Sequence, residues 1–261
     1  MNILDKILET KRAEMESAKA VKSFGDILAE ARGVGRPVVS FAGALLSSPT
    51  GIVAEFKRRS PSKGYINEAA DVREVVGGYA DNGAAAVSVL TDRDYFAGSL
   101  DDLRVAREAA DIPLLRKDFI IDPYQICEAR VAGADVVLLI AAAMTIGQCR
   151  ELAAFASDLG LEVLLEVHNE AELGHVNPYV NVVGVNNRDL TTFVTDTAVS
   201  QRLGRLLPDG VVRISESGIS SPETVKRLRA EGFNGFLMGE NFMKEPDPAA
   251  ALGAFVRKTG L

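Results

Sequence analysis

The sequence of 261 residues contains no tryptophan, only two cysteines and two histidines, and no long apolar run. Two cysteines without Cys-x-x-Cys spacing exclude a disulfide framework, so Cys127 and Cys149 are predicted to be buried side chains of helices. A membrane span needs about 18 to 20 consecutive apolar residues, and the first twenty residues lack the apolar segment of a signal peptide. We therefore expect a cytoplasmic protein that does not act in a membrane.

A basic surface is also absent, because the formal net charge is -7. Binding to a phosphate backbone requires a basic face, so nucleic acid is not an expected partner, whereas a small anion needs only a local site. The two histidines, His168 and His175, do not form a His-Glu-x-x-His motif, and no metal site is predicted. Asp92 and Asp94 are predicted to be solvated loop residues rather than metal ligands.

From residue 51 onward, short runs of valine, isoleucine and leucine alternate with longer amphipathic segments. The short runs predict strands at 52–56, 86–90, 112–116, 136–140, 162–166, 180–185, 211–215 and 235–238. The segments between them predict helices at 70–81, 100–110, 123–132, 146–159, 198–206 and 222–230. Nearly continuous apolar strands are typical of a parallel sheet covered on both faces. Eight such units favour an α/β (β/α)8 TIM barrel over an open doubly wound sheet, whose usual nucleotide fingerprint is missing.

The N-terminal segment has a helical pattern of its own. Apolar residues recur at three- and four-residue spacing from residue 2 to 32, in one long and one shorter helix that ends near Gly33 and Gly35. We predict a single domain, 1–261, in which residues 1–48 form an N-terminal helical extension packed against a barrel of residues 49–261.

Polar side chains follow most of the predicted strands at their carboxyl ends, where barrel enzymes carry their chemistry. Glu55 and Lys57 are two positions apart and therefore lie on the same face of the first strand. The other strand ends supply Lys117, Glu166, Asn186, Arg188, Glu216, Ser217 and Glu240. Lysines and glutamates that meet at one mouth provide a proton donor and a proton acceptor.

The last two strands are followed by glycine turns. Gly218 precedes a Ser-Ser-Pro-Glu sequence, which predicts a helix that begins at Ser221 and Pro222, and Gly239 follows the eighth strand. Backbone N–H groups at such turns bind phosphate, and barrels usually place that site after strands seven and eight. The hydroxyl of Ser60 can add a donor, so a phosphorylated small molecule is the expected partner.

The segment 55–64, Glu-Phe-Lys-Arg-Arg-Ser-Pro-Ser-Lys-Gly, resembles the signature of the indole-3-glycerol-phosphate synthase family. The likeness extends through 115–119, 134–140, 164–168, 184–190, 215–219 and 238–240. It implies a carboxy-lyase of tryptophan biosynthesis that acts on 1-(2-carboxyphenylamino)-1-deoxyribulose 5-phosphate. Ring closure, loss of carbon dioxide and loss of water give indole-3-glycerol phosphate. No cofactor, metal or oligomer is implied.

The resemblance also implies residue roles. Lys117 corresponds to the general acid of ring closure, and Glu166 to a base or a stabiliser of the developing iminium. Lys57 corresponds to the lysine that binds the substrate carboxylate and is a candidate proton donor for dehydration. Glu55 holds Lys57 and is the alternative base, so the choice of base remains open.

The remaining matches concern substrate binding. Asn186 and Glu216 correspond to residues that orient the sugar hydroxyls and the catalytic groups, with Arg188 and Ser217 in support. Phe119 and Leu138 are implied to line an apolar slot for the anthranilate ring. The phosphate site is implied to consist of Ser60, Gly218, Gly239 and Glu240.

Two departures and two alternatives accompany this prediction. Arg59 stands where a small residue is expected, and Asn241 and Phe242 replace a more usual pair, although none of them is at a catalytic position. Another phosphate-binding barrel enzyme, such as an isomerase or an aldolase with a Schiff-base lysine, is one alternative. A catalytically silent barrel is the other, although it should lack the charges at the strand ends.

Overall fold

The structure is a computed structural model that describes residues 3–189, 192 and 194–261. The predicted helix start at residue 2 and the end of the family-like segment at Leu190 lie outside the described residues.

Eight parallel strands form a closed barrel, which confirms the predicted fold class. The strands are β1 (Ile52–Phe56), β2 (Ala86–Leu90), β3 (Leu114–Lys117), β4 (Val136–Ile140), β5 (Glu162–Val167), β6 (Val182–Asn186), β7 (Val212–Glu216) and β8 (Gly235–Met238). Each strand pairs with its neighbours in sequence, and β1 closes the barrel because Ala54 lies opposite both Val87 of β2 and Met238 of β8. Predicted strands 112–116 and 180–185 begin two residues later in the structure and extend to Lys117 and Asn186.

Helices precede the barrel and alternate with its strands. They are α1 (Ile3–Val21), α2 (Phe24–Gly33), α3 (Phe41–Ser47), α4 (Val72–Asp81), α5 (Leu100–Ala109), α6 (Pro123–Ala132), α7 (Ile146–Asp158), α8 (Ala198–Gly204), α9 (Pro222–Ala230), α10 (Glu240–Met243) and α11 (Pro248–Thr259). A 3-10 helix, Glu170–His175, takes the place of an α-helix after β5. The expected first turn of α9 is present, because Ser221 caps the helix and Pro222 follows it.

The barrel interior is filled by side chains that alternate along the strands. Its buried members include Val53, Leu115, Leu138, Leu164, Val182, Ile214 and Leu237. Helix α3, which the sequence reasoning missed, covers the amino-terminal end of this core with Phe41 and Leu45, both fully buried. A second core lies between the strands and the outer helices, and includes the predicted buried thiols Cys127 and Cys149. The amino-terminal end is therefore closed, and the carboxyl ends of the strands remain for a site.

Candidate active site

A cavity of about 220 Å³ opens at the carboxyl ends of the strands. Every residue that the sequence predicted for the site lines it: Glu55, Lys57, Ser60, Lys117, Phe119, Leu138, Glu166, Asn186, Arg188, Glu216, Ser217, Gly218, Gly239 and Glu240. The fold thus brings together residues that are up to 185 positions apart in the sequence (240 minus 55). Their individual roles remain predictions.

A cluster of charged side chains lies at the centre of the cavity floor. The Lys117 ammonium donates hydrogen bonds to Glu166 Oε2 at 3.0 Å and to Glu216 Oε2 at 2.7 Å. Lys117 and Glu216 are the last residues of β3 and β7, Glu166 is the second-last residue of β5, and Glu55 lies in β1. Residues of alternate strands form one layer inside a TIM barrel, so these side chains meet because of the barrel geometry.

Burial and mutual contact change the proton affinities of this cluster. Burial disfavours the charged form of Lys117, but the carboxylates of Glu166, Glu216 and Glu55 outweigh it and raise the lysine pKa. Burial also opposes the ionised form of Glu166, yet Lys117 and His168 hold the pKa of Glu166 well below its ordinary value. Burial raises the pKa of Glu216 to about 7, because Lys117 only partly offsets it and the charge of Glu166 adds to it. Glu166 is therefore ionised at neutral pH, whereas the pKa of Glu216 lies near neutrality.

A second charge pair lies in β1 and the position after it. Lys57 Nζ is 2.5 Å from Glu55 Oε1, and both side chains are largely buried. The predicted same-face arrangement is therefore confirmed. Gly239 makes room for this pair, since a Cβ at that position would lie 2.6 Å from Glu55 Oε1.

Gly184 of β6 has the corresponding role beside Glu216, and the sequence reasoning missed it. Gly184 is opposite Glu166 in the register of β5 and β6. A Cβ on Gly184 would lie 2.1 Å from Glu216 Oε1. The absent side chain leaves the space in which the Glu216 carboxylate approaches Lys117.

Backbone turns and hydroxyl groups form another wall of the cavity. Ser217 and Gly218 have φ values of 66° and 73°, which turn the chain sharply after β7. Gly239 is the N-cap residue that precedes the short helix α10. From the opposite side, Arg188 donates a hydrogen bond to the hydroxyl of Ser62 at 3.1 Å and so links the loops after β6 and β1. These groups supply N–H and O–H donors of the kind that an anion needs.

The remaining wall is apolar. Phe119 and Leu138 are joined there by Leu90, Phe96 and Ile140. The rings of Phe96 and Phe119 pack with their centroids 6.1 Å apart. Helix α1 contributes Ile3, Leu4 and Ile7 to the same cavity, which the sequence pattern could not indicate. The cavity therefore has an apolar side next to a charged floor.

A buried ion-pair cluster holds α1 over the cavity. Lys11 Nζ lies 2.7 Å from Asp92 Oδ2, 3.3 Å from Asp118 Oδ1 and 2.7 Å from Glu14 Oε2. Asp92 was expected to be solvated, and this expectation is wrong, since Asp92 is fully buried. Its charge is tolerated because Lys11 and the backbone N–H of Tyr95 face it.

Arg116, although at a strand end, does not face the cavity. It donates hydrogen bonds to Thr91 Oγ1 and to the carbonyl oxygen of Gln125 on the outer side of β3. Its ion pair with Asp118 at 3.1 Å joins it to the Lys11 cluster. This network supports the strand that carries Lys117 rather than touching the site.

Two further structural observations concern other kinds of site. Across residues 3–189, 192 and 194–261, no group of three or more histidine, cysteine, aspartate or glutamate side chains is arranged to hold a metal ion. In the same part of the chain, no helix combines the length and apolar character that crossing a membrane requires.

The fold and the buried lysine–glutamate cluster define a (β/α)8-barrel enzyme with acid–base chemistry at the carboxyl ends of its strands. Residues 4–255 match the family model described as indole-3-glycerol phosphate synthase. The chain belongs to this family.

Curated relatives agree with this assignment. The indole-3-glycerol phosphate synthase of Bacteroides thetaiotaomicron is 50% identical over 98% of this chain and 98% of its own length. That of Bordetella pertussis is 44% identical over 98% and 99%. Solved structures of more distant proteins share the fold: a tryptophan synthase complex from Pyrococcus furiosus has a TM-score of 0.59 at 15% identity, over 81% of this chain and 98% of that one.

Proposed function

We propose that this protein converts 1-(2-carboxyphenylamino)-1-deoxyribulose 5-phosphate to indole-3-glycerol phosphate by ring closure, decarboxylation and dehydration. The observation that carries the proposal is the hydrogen-bonded arrangement of Lys117 between Glu166 and Glu216, at the floor of a cavity that has one apolar and one donor-rich wall. The family assignment names the reaction, and this geometry supplies the groups that the reaction needs.

Ring closure needs an acid at the ketone oxygen of the substrate. Lys117 carries its proton at neutral pH, because the surrounding carboxylates raise its pKa. As the arene carbon attacks the carbonyl carbon, Lys117 donates a proton to the oxygen, which becomes a hydroxyl group. Loss of carbon dioxide then returns the bonding electrons to the ring. Glu166 remains anionic and stabilises the positive charge that develops at the ring nitrogen.

Dehydration removes the new hydroxyl group as water and a proton from the intermediate. Lys57, 2.5 Å from Glu55, is the donor to the leaving hydroxyl, and a carboxylate of the cluster takes the other proton. Asn186 and Glu216 orient the sugar hydroxyls. These assignments give ring closure and dehydration separate proton donors.

The substrate's own charges and ring determine its orientation. The anthranilate ring occupies the slot of Phe119 and Leu138, and its carboxylate meets Lys57. The phosphate is held by the N–H groups of Gly218, Gly239 and Glu240 and by the Ser60 hydroxyl. Binding at both ends holds the reacting arene and carbonyl carbons close together.

The direct experiment is to incubate the purified protein with the carboxyphenylamino deoxyribulose phosphate and to measure carbon dioxide and product mass together. One carbon dioxide and one indole-3-glycerol phosphate are expected for each substrate consumed, without added metal or cofactor. Substrate loss without carbon dioxide would contradict the proposal.

A Schiff-base mechanism is the main competitor within barrel enzymes. It requires a neutral lysine amine, whereas the raised pKa of Lys117 keeps that amine protonated. Borohydride added during turnover should therefore trap no substrate on the protein, and a reduced adduct on Lys117 or Lys57 would favour the competitor.

We also propose that the helical extension of residues 1–48 and the barrel of residues 49–261 unfold together as one domain, because the buried Lys11 cluster joins them. A single calorimetric transition is expected, and two separate transitions would contradict it. We place the protein in the cytoplasm, where its buried thiols Cys127 and Cys149 stay reduced. Cell fractionation tests this placement.

A further inference from the structure

Lys117 lies between two buried glutamates that are almost equivalent in distance. Glu166 Oε2 is 3.0 Å from Nζ and Glu216 Oε2 is 2.7 Å from it. Both carboxyl groups belong to the same barrel layer, and both are buried. The lysine alone therefore does not determine which of them carries a proton.

Glu166 differs from Glu216 because it also contacts the imidazole ring of His168. His168 follows β5 directly, and its Nε2 lies 3.1 Å from Glu166 Oε1, an ion-pair contact that lacks the geometry of a hydrogen bond. Its Nδ1 lies 3.1 Å from Glu172 Oε2, which also accepts a hydrogen bond from the His168 backbone N–H at 2.7 Å. The imidazole ring is thus held between two carboxylates, an arrangement that favours its charged form.

Glu172, which contacts His168, is itself held in place by hydrogen bonds around it. Asn169 caps the 3-10 helix that carries Glu172, and the Asn169 amide donates to Glu172 Oε1 at 2.6 Å. The ring of His175 lies 3.0 Å from the carbonyl oxygens of Glu172 and Met144. Glu172 therefore presents a carboxylate to His168 in a set position.

Glu216 has no corresponding support. Its Oε1 is buried and accepts no hydrogen bond from the part of the chain that the structure describes. Gly184, rather than a polar side chain, faces that oxygen. A buried carboxylate oxygen without a donor is stable mainly when the group is protonated.

The charged groups around the two glutamates come from several elements. Lys117 is on β3, Glu55 on β1, His168 follows β5, and Glu172 is on the 3-10 helix. The strands on either side of β5 place only Ile140 and Gly184 opposite Glu166. His168 is therefore the cation that contacts Glu166 and leaves Glu216 untouched.

We propose that His168 is a positioning residue for the reaction. The contacting side chains of Glu172, His168 and Glu166 hold Glu166 in its ionised form, and Glu216 is therefore the carboxyl group that gains and loses a proton. This inference rests on the proposed function. It assigns Glu166 to charge stabilisation and Glu216 to proton exchange, and so removes Glu166 from the choice between Glu166 and Glu55 as base that the resemblance left open.

The same contacts shift the pKa values of these three groups. Burial opposes the charge on His168, but its contacts with Glu166 and Glu172 raise its pKa to about 10. The pKa of Glu166 lies below its ordinary range, and that of Glu216 rises to about 7.

The test uses His168→Gln, in which the amide keeps a hydrogen-bond donor but carries no charge. The pH dependence of kcat/KM is measured for the wild type, this variant and Glu170→Gln. Glu170 is the matched control because it lies on the same 3-10 helix but is exposed and 3.6 Å from Arg202. Loss of the imidazolium should raise the pKa of Glu166 by about one unit, since a neighbouring opposite charge shifts a carboxyl pKa by about that much. Glu166 should then share the proton that the wild type holds on Glu216, and the acid limb should move away from its wild-type position. The control should keep its acid limb near pH 7.

A second measurement does not depend on turnover. The chain has two histidines, so the NMR titration of His168 is assigned from a spectrum of His175→Gln. His168 is expected to titrate near pH 10, and Glu172→Gln should lower that value by at least about one unit. Titration of His168 near its ordinary value of about 6.5 would overturn the inference.

The outcomes separate the inference from the proposed function. An inactive wild type whose His168 titrates near pH 10 would contradict the proposed function alone. An active wild type with the same acid limb in His168→Gln would contradict the inference, because a purely structural contact is preserved by glutamine.

Discussion

Replacement of Lys117 with alanine removes an ammonium group that pairs with both Glu166 and Glu216. If Lys117 is the general acid of ring closure, kcat should fall by about two to four orders of magnitude, the usual contribution of a positioned acid. At 1.36 kcal/mol per tenfold change in rate, this loss corresponds to about 3–5 kcal/mol of transition-state stabilisation.

The same substitution leaves two buried carboxyl groups without their shared cation. Loss of one partner of a buried pair typically destabilises a protein by about 3–5 kcal/mol, unless the remaining group takes up a proton. The pKa of Glu216 is already raised to about 7 by burial, and removal of the lysine raises it further. Because the folded-state pKa then lies above the unfolded value, the unfolding free energy of the variant should fall as the pH rises from about 5 to 8.

Activity is measured by steady-state turnover, and stability by urea unfolding at pH 6 and pH 8. Lys226→Ala, which removes an exposed lysine of α9, is the matched control and should behave as the wild type in both assays. Near-normal turnover in a folded Lys117→Ala variant would refute the role of Lys117. A stability difference independent of pH would refute the electrostatic description of the cluster.

Three further predictions concern other parts of the structure. Gly184→Ala should lower kcat at least about tenfold and the unfolding free energy by about 1–3 kcal/mol, because the added methyl group displaces the Glu216 carboxylate. Gly35→Ala is the control, since Gly35 has open space around it. A fully active Gly184→Ala variant would contradict the steric account. Glu216→Gln should abolish the acid limb near pH 7, and an unchanged limb in its pH–rate profile would assign that limb to another group. Lys11→Met should lower the unfolding free energy by about 3–5 kcal/mol in urea, since the buried Asp92 loses its cation and Asp118 keeps only Arg116. A change below about 1 kcal/mol would mean that the cluster contributes little.

The barrel was predictable because its pattern is local. Parallel strands buried on both faces need nearly continuous apolar runs, and these runs are visible at 52–56, 86–90 and 136–140 without knowledge of contacts. The site was predictable for a related reason, because the carboxyl ends of all barrel strands meet at one face. A charged residue such as Lys117 or Glu216 at a strand end therefore lies near the others whatever its distance in sequence.

The features that were missed depend on contacts between distant elements. The position of α1 over the cavity follows from Lys11 reaching Asp92 and Asp118, and no helical periodicity records that contact. Asp92 looked like a solvated loop residue because aspartate usually is one, and only its partner explains its burial. Helix α3 is too short, at seven residues, to show two turns of apolar spacing.

Two glycines at the site also have roles that the sequence did not predict. Gly184 lies inside an apolar strand, where its sequence gives no sign of the carboxylate that fills its space. Gly239 was assigned to phosphate binding from its turn, and the structure adds that it makes room for Glu55.

The most direct test of the central claim is to follow indole fluorescence after the protein is mixed with the carboxyphenylamino deoxyribulose phosphate. The chain has no tryptophan, so new indole emission reports product against a low background. The account predicts growth of this signal in the wild type without metal or cofactor, and its near absence in Lys117→Ala. A flat trace from folded wild-type protein would contradict the account.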